Sequence, residues 1–380
     1  MKYAILYFLL SLFFIQTYAA EKHALVIAIA NYEDEKWAQI SAIRDISYIK
    51  LLLSEQSFDN KNIIFLINEE ATKKAVLEQF EILIKKVNEG DVVFVQFCCH
   101  GQRVEDISRD ENDGFDEALV MYDAYHAPTA KYKGQNHLLD DEIGNFIYKL
   151  RKKLGKAGSF NMFIDACYSG SISRYTSTSR GAEVPFMITG NTYNQNQEYT
   201  INIDDNFKEY DNSTNNDELS VYAIFSACQN NEDSKEILGD GGESVGALTF
   251  SMVKAFRRIQ KNDTYRTLFD YINSIISAKS NNTRHPAFEG DLDNVVFNSN
   301  IIPVSDYFKV LNKLLNESST FIVEGGKLTG IYENSVFGFY RAGTTMFTDS
   351  ELISEGTVII ANEITSYVRL SSPFSSDDDI

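Results

Sequence analysis

The chain has 380 residues, 44% of them hydrophobic and 23% charged, with a formal net charge of −19 at pH 7. Such a length supplies a core for one large domain, or a large and a small one, and the negative balance with no basic stretch argues against nucleic acid as a partner. The acidity instead suits cationic ligands, either basic peptides or a divalent metal.

In chain order, the N-terminus reads as a targeting segment. Lys2 supplies a positive end, Ala4 to Ile15 is almost wholly apolar, and Thr17 to Ala20 puts small residues at a cleavage spacing. The apolar run is shorter than the ~20 residues a membrane span needs. We expect cleavage after Ala19 or Ala20 and a secreted or periplasmic mature chain that is monomeric and has no membrane contact. His23 to Ala30 is a continuous apolar run, as in a strand buried on both faces. Ile40 to Phe58 has helical spacing, 62–67 reads as a second strand, and Thr72 to Asn88 as an amphipathic helix. Further strands are expected at 91–98, 160–165 and 221–226, and helices at 143–154, 248–259 and 265–278, with a last strand at 294–297. Ser171 to Ser220 is polar and long for a loop without structure, which marks it as functional or mobile. From about Pro303 short strand-like runs alternate with turn residues, after a helix expected at 306–316, and the tail 375–380 is expected to be disordered. The chain therefore divides into a leader (1–20), an α/β domain (21–300) and a small β-rich module (301–380). Alternating strands and helices predict a mostly parallel sheet between two helical layers, with ligands bound beyond the carboxyl ends of the strands.

The chemistry lies at those ends. Asp91-Val-Val-Phe-Val-Gln-Phe-Cys-Cys-His-Gly101 runs apolar into His100, and Phe160-Asn-Met-Phe-Ile-Asp-Ala-Cys-Tyr-Ser-Gly170 runs apolar into Cys167. A thiol becomes a strong nucleophile when an imidazole lowers its pKa, and the same imidazole then protonates the leaving amine. The backbone N–H groups of Gly101 and Cys167 are candidates to hold an oxyanion. Of the four cysteines, Cys98, Cys99 and Cys228 read as packed structural thiols, too few for a disulfide scaffold and not at metal-ligand spacing.

Six segments in order resemble the caspase-like cysteine peptidases of clan CD, family C14, closest to the metacaspases and the bacterial caspase homologues. They are Ala24 to Tyr32, Cys99-His-Gly-Gln-Arg103, Asp110 to Leu119, Asp165-Ala-Cys-Tyr-Ser-Gly170, Ser226 to Ser234 followed by Gly246 to Phe250, and His285 to Gly290. The resemblance covers about 22–298 and leaves out the β-rich module. It implies a caspase-like three-layer α/β/α sandwich and an endopeptidase with a His100–Cys167 dyad. An acid two residues before the thiol, Asp165, replaces the glutamine of animal caspases, and the resemblance implies a second pocket acid at Asp45. Carboxylates in the specificity pocket select Arg or Lys, so the expected partners are protein or peptide substrates with basic residues. No cofactor is required by this chemistry. The resemblance implies calcium at Asp116, Asp140 and Asp141, in a set left incomplete by Arg174, which stands where a further acid is usual. It also implies processing in the polar loop, at Arg174, Arg180 or Lys208. Two other functions stay open: a catalytically inert caspase-fold binding protein, and a Cys-dependent hydrolase of small esters or amides.

Overall fold

The computed structural model describes residues 20–106, 111, 113–167, 179–182, 184–188, 218–228, 235–280, 284–300, 307–314, 319–344, 347–362 and 364–372. The leader, apart from Ala20, and the tail 375–380 lie outside them. In chain order the elements are β1 (Lys22–Ala28), α1 (Ala42–Glu55), β2 (Ile63–Ile67), α2 (Lys73–Lys86), β3 (Val92–Cys98), β4 (Gly101–Glu105), β5 (Phe115–Val120), β6 (His137–Leu139), α3 (Asp140–Leu154), β7 (Ser159–Asp165), β8 (Val221–Ser226), β9 (Ile237–Leu238), β10 (Ser244–Val245), α4 (Ala247–Phe256), α5 (Tyr265–Ser280), β11 (Ala287–Gly290), β12 (Val310–Lys313), β13 (Thr320–Glu324), β14 (Val336–Phe339), β15 (Ser354–Ala361) and β16 (Thr365–Leu370).

The main sheet has the order β11-β8-β7-β3-β1-β2. Its strands run parallel except β11, which pairs antiparallel with β8. Side-chain alternation sorts the apolar residues of each strand onto two faces. Ala24, Val26 and Ala28 of β1, with Phe94, Phe163 and Phe225, pack against Ile46, Ile49 and Leu53 of α1 and against α4 and α5. Leu25 and Ile27, with Val93, Val95, Phe97 and Met162, pack against Val76 and Phe80 of α2 and Phe146 and Leu150 of α3. The result is the expected α/β/α sandwich. Helix α2 starts at Thr72, whose hydroxyl accepts from the Ala75 N–H at 3.3 Å.

Three elements differ from the sequence expectation. Residues 294–297 form no strand: Val295 makes only an isolated bridge to Thr264, and Phe297 adopts a left-handed backbone. The sheet edge is β11 instead. The described part of the helix expected at 306–316, residues 307–314, is not helical; within it, residues 310–313 form β12, because pairing with β13 overrides a local helical pattern. The small antiparallel sheet β4-β5-β6 escaped notice because an acidic, turn-rich segment interrupts it. The C-terminal strands form a five-stranded antiparallel sheet, β12-β13-β16-β15-β14, over its own core of Phe321, Val323, Phe339, Val358 and Val368. Tyr307 and Lys309 tie that region to α5 through Asp270, at 2.6 and 3.2 Å.

Phe163 is fully buried at the centre of the main sheet, its ring stacked between Phe94 (centroids 5.2 Å apart) and Phe225 (4.7 Å). Phe163→Ala should therefore destabilise the domain by about 3–5 kcal/mol in a denaturant titration, because the cavity lies between two rings that cannot both collapse.

Candidate active site

Strands β3 and β7 are neighbours, and Cys98 lies opposite Asp165 in their register. His100 and Cys167 each follow that pair by two residues, just beyond the carboxyl ends of neighbouring strands that lie roughly 4.8 Å apart. Both are buried. No disulfide joins the four cysteines, all of which are described.

The loop after β1 holds the imidazole. Trp37 stacks on the His100 ring (centroids 5.2 Å, 25° between planes) and Tyr32 packs on it at 5.3 Å. The His100 N–H donates to the Tyr32 hydroxyl at 2.7 Å. His100 Nε2 lies 2.8 Å from the Ala38 carbonyl. A carbonyl only accepts, so Nε2 carries the hydrogen and Nδ1 is the basic nitrogen of the neutral ring. Nδ1 is buried with no hydrogen-bond partner among the described residues. Burial first, and then the nearby Arg180 charge, pushes the His100 pKa down to about 4.

The remainder of the site is filled by the chain itself. The Arg180 carbonyl accepts from the Gly101 N–H at 3.0 Å and from the Cys167 N–H at 3.2 Å. These are the two donors expected to hold an oxyanion, and a carbonyl oxygen sits between them. The Arg180 side chain is fully buried. Its Nη1 lies 2.7 Å from Asp45 Oδ2 and 3.6 Å from Asp165 Oδ1, and its Nη2 lies 3.4 Å from Glu236 Oε1. Nη2 also donates to the Ser41 hydroxyl at 3.2 Å. Burial disfavours the guanidinium charge, but Asp45 and Asp165, followed by Glu236, outweigh it and hold the pKa well above the ordinary value. Burial raises Asp45 to about 6 against the pull of Arg180.

Each acid is fixed in turn. Asp165 Oδ2 accepts from the Thr249 N–H at 2.8 Å and the Thr249 hydroxyl at 2.7 Å, and Gln96 donates to that hydroxyl at 2.9 Å. Asp45, in the first turn of α1, accepts from the Gly246 N–H at 2.9 Å. A Cβ at Gly246 would fall 2.1 Å from Asp165 Oδ2 and 2.6 Å from Arg180 Nη1, so glycine is what lets α4 begin against the pocket. Glu236 accepts from the Ser244 hydroxyl at 2.6 Å and also from the Ser41 N–H.

The geometry thus gathers His100, Cys167, Gly101, Asp45, Asp165 and Arg180. Sequence reasoning missed Glu236, Ser41, Thr249, Gly246 and the aromatic clamp of Tyr32 and Trp37. Trp37, the sole tryptophan of the chain, was the one signal that could have pointed to the clamp. Arg174 and Lys208 lie outside the described residues. Asp116 is on β5 opposite Val104, while Asp140 and Asp141 open α3. Among the described residues no group of three or more His, Cys, Asp or Glu side chains is arranged to hold a metal ion. Within that described set, Asp116, Asp140 and Asp141 form no such group. Negative charge does converge around two of them: burial and then Asp140 raise Glu117 to about 7, and burial and then Asp141 raise Asp140 to about 6.

The His100 pKa, about 4 in the folded chain against an ordinary 6.5, has a sign. The folded state disfavours the extra proton, so this contribution to stability is fully present above 6.5 and is lost as pH falls toward 4. His137, lowered to about 3 by burial, acts in the same direction. Asp45 runs the other way, its share being lost as pH rises through about 6. His100→Gln should flatten the fall in melting temperature between pH 6.5 and 4 relative to the unaltered chain; superimposable profiles would contradict a buried neutral ring.

A family model described as the metacaspase, peptidase C14 domain matches residues 22–175. Metacaspase-3 of Arabidopsis thaliana is 25% identical over 277 residues, covering 71% of this chain and 68% of the relative. Metacaspase-1 of Eremothecium gossypii is 29% identical over 157 residues, covering 40% of this chain and only 32% of the relative. Among solved structures, a protein of Geobacter sulfurreducens superposes with a TM-score of 0.49 at 22% identity, over 71% of this chain and 93% of that one. Caspase-1 of Spodoptera frugiperda superposes at 0.44 with 10% identity, over 73% and 88% of the two chains. The family match runs from β1 past Cys167, and over that part the chain is similar to the caspase-like peptidases of family C14, the metacaspases among them.

Proposed function

We propose that the chain is an exported cysteine endopeptidase that cleaves after Arg or Lys through the Cys167–His100 dyad, and that the Arg180–Gly181 bond is its own first substrate. Similarity to the metacaspase domain and to a curated metacaspase supports cysteine peptidase activity. The finer reading is carried by one observation: the Arg180 carbonyl lies between the N–H groups of Gly101 and Cys167 while its guanidinium lies among Asp45, Asp165 and Glu236. A bond held in this way is oriented for attack by the neighbouring thiol.

In this mechanism His100 Nδ1 takes the thiol proton, and Cys167 Sγ adds to the Arg180 carbonyl carbon. The negative charge that develops on oxygen meets the two preorganised N–H donors. The C–N bond then breaks, His100 returns the proton to the Gly181 amine, and a thioester to Arg180 remains. Water, deprotonated by the same nitrogen, hydrolyses the thioester and restores the thiol. The imidazole can do this at neutral pH because it is held uncharged, with its hydrogen fixed on the nitrogen facing Ala38. The reading of residues 1–20 as a cleaved leader supports export.

Cys167→Ala should abolish both hydrolysis of arginyl peptides and the appearance of a new terminus at Gly181, with its melting transition retained. Full activity in that variant would remove the mechanism. Glu236 contacts Nη2, a nitrogen for which a lysine side chain has no equivalent. Glu236→Gln should therefore narrow the preference for Arg over Lys in a positional peptide digest, whereas Asp165→Asn should lower kcat/KM on both basic residues relative to neutral ones. An unchanged Arg-to-Lys ratio in the first variant would detach Glu236 from the pocket.

A further inference from the structure

Past the cleft, the polar loop continues in an extended course along β4. Ala182 N–H donates to the Gly101 carbonyl at 2.9 Å, Phe186 N–H to the Arg103 carbonyl at 2.8 Å, and Glu105 N–H to the Phe186 carbonyl at 2.9 Å. Gly101 pairs with Gly181 and Val104 with Phe186, both in parallel sense. Three steps along β4 therefore match five along the loop, and the surplus falls around Val184 and Pro185, where proline has no N–H to contribute. Gln102 bridges this gap: its Nε2 donates to the Val184 carbonyl at 2.8 Å and to the His126 carbonyl at 3.2 Å.

Behind Gln102 stands a buried relay that the catalytic mechanism does not use. Gln102 Oε1 lies 2.8 Å from His137 Nε2, and His137 Nδ1 lies 2.9 Å from the Tyr132 hydroxyl. An amide oxygen only accepts, so Nε2 carries the hydrogen and Nδ1 accepts from Tyr132. Burial lowers the His137 pKa to about 3, which keeps the ring neutral. Phe186, 1% exposed, packs on this relay, 4.9 Å from the His137 ring and edge-on to Tyr132 at 5.6 Å. Gly134 leaves the space for it: a Cβ there would come within 3.2 Å of the Phe186 ring.

We propose that Tyr132, Gly134, His137 and Gln102 form a binding subsite for a large aromatic side chain six residues beyond the scissile bond, and that this subsite decides which bond of the loop enters the catalytic centre. The inference rests on the peptidase reading above. The sequence agrees with it. Of the three basic residues between Ser171 and Ser220, only Arg180 is followed six positions later by an aromatic residue; Arg174 is followed by Arg180 itself and Lys208 by Thr214. A guanidinium against a neutral imidazole would bury an uncompensated charge, and a threonine would leave a void between Tyr132 and His137. The residues next to the bond point the same way. Gly181 and Ala182 are small and lie close against β4, whereas Tyr175 and Thr176, or Glu209 and Tyr210, would stand there in the other two registers.

The test uses the full chain and its Phe186→Ala, Phe186→Leu and Phe186→Tyr variants. Mass spectrometry follows the fragment that begins at Gly181. A small arginyl amide reporter, too short to reach the subsite, is assayed in the same samples and normalised to Cys167 labelled by an arginyl alkylating agent. Phe186→Ala should slow the appearance of the Gly181 terminus at least about tenfold, equivalent to about 1.4 kcal/mol, with reporter turnover per labelled thiol retained, Phe186→Leu intermediate and Phe186→Tyr close to the unaltered chain. Should the alanine variant not fold, the order of the other two decides. Equal self-cleavage rates across the series overturn the proposal. An unaltered chain that turns over the reporter yet never exposes Gly181 overturns the subsite and leaves the peptidase reading standing; a chain that does neither overturns both.

Discussion

A guanidinium removed from water must be surrounded by negative charge and hydrogen-bond acceptors, or the chain will not fold around it. Here that requirement draws together distant parts of the sequence. Asp45 comes from the first turn of α1, Asp165 from the end of β7, and Glu236 from the stretch before β9, and Arg180 is fully buried among them. Three carboxylates around one cation leave an excess of negative charge. That excess is visible in the raised pKa of Asp45, which burial drives and Asp165 reinforces. A pocket of this kind is stable only while a cation occupies it, and in this structure the cation is the chain's own Arg180.

The second constraint is register. Because Cys98 faces Asp165 across β3 and β7, the imidazole, the thiol and the two N–H donors follow directly on the ends of two paired strands, with the loop after β1 packed on the imidazole. The pocket acid Asp165 belongs to the same pair. Asp165 at the end of β7 and Cys167 just beyond it are thus two residues apart, and Thr249 of α4, itself bonded by Gln96 of β3, holds the acid.

What the sequence made legible is what local pattern encodes. The continuous apolar runs of β1, β3, β7 and β8 could be read because strands buried on both faces have no polar alternation to obscure them. His100, Cys167 and Asp165 were readable as residues placed where those runs stop. Glu236 was not, because nothing near it in sequence distinguishes it from the other acids of a polar stretch; its role depends on Ser41 and Arg180, which only the fold brings near. Tyr32 and Trp37 were hidden for the same reason, since a stacking partner is defined by where a loop returns. Arg180 stood as one of three equal candidates, and it is the pairing of the following residues with β4 that sets it apart. In the C-terminal region the helical spacing around 306–316 misled, because four residues of it pair with β13.

The position of Arg180 in the topology carries a structural corollary. The bond it precedes lies between β7 and β8, which are adjacent, parallel and registered over six residue pairs from Ser159 and Val221 to Ile164 and Ser226. Severing it would leave β1, β2, β3 and β7 on one polypeptide and β8 and β11 on the other, with a sheet seam running through the apolar centre of the molecule and helices from both pieces sharing one core. The two fragments would have no hinge along which to part. Cleavage there would change covalent connectivity within a fixed architecture, so that a denaturing gel would resolve two bands where native mass registers one particle.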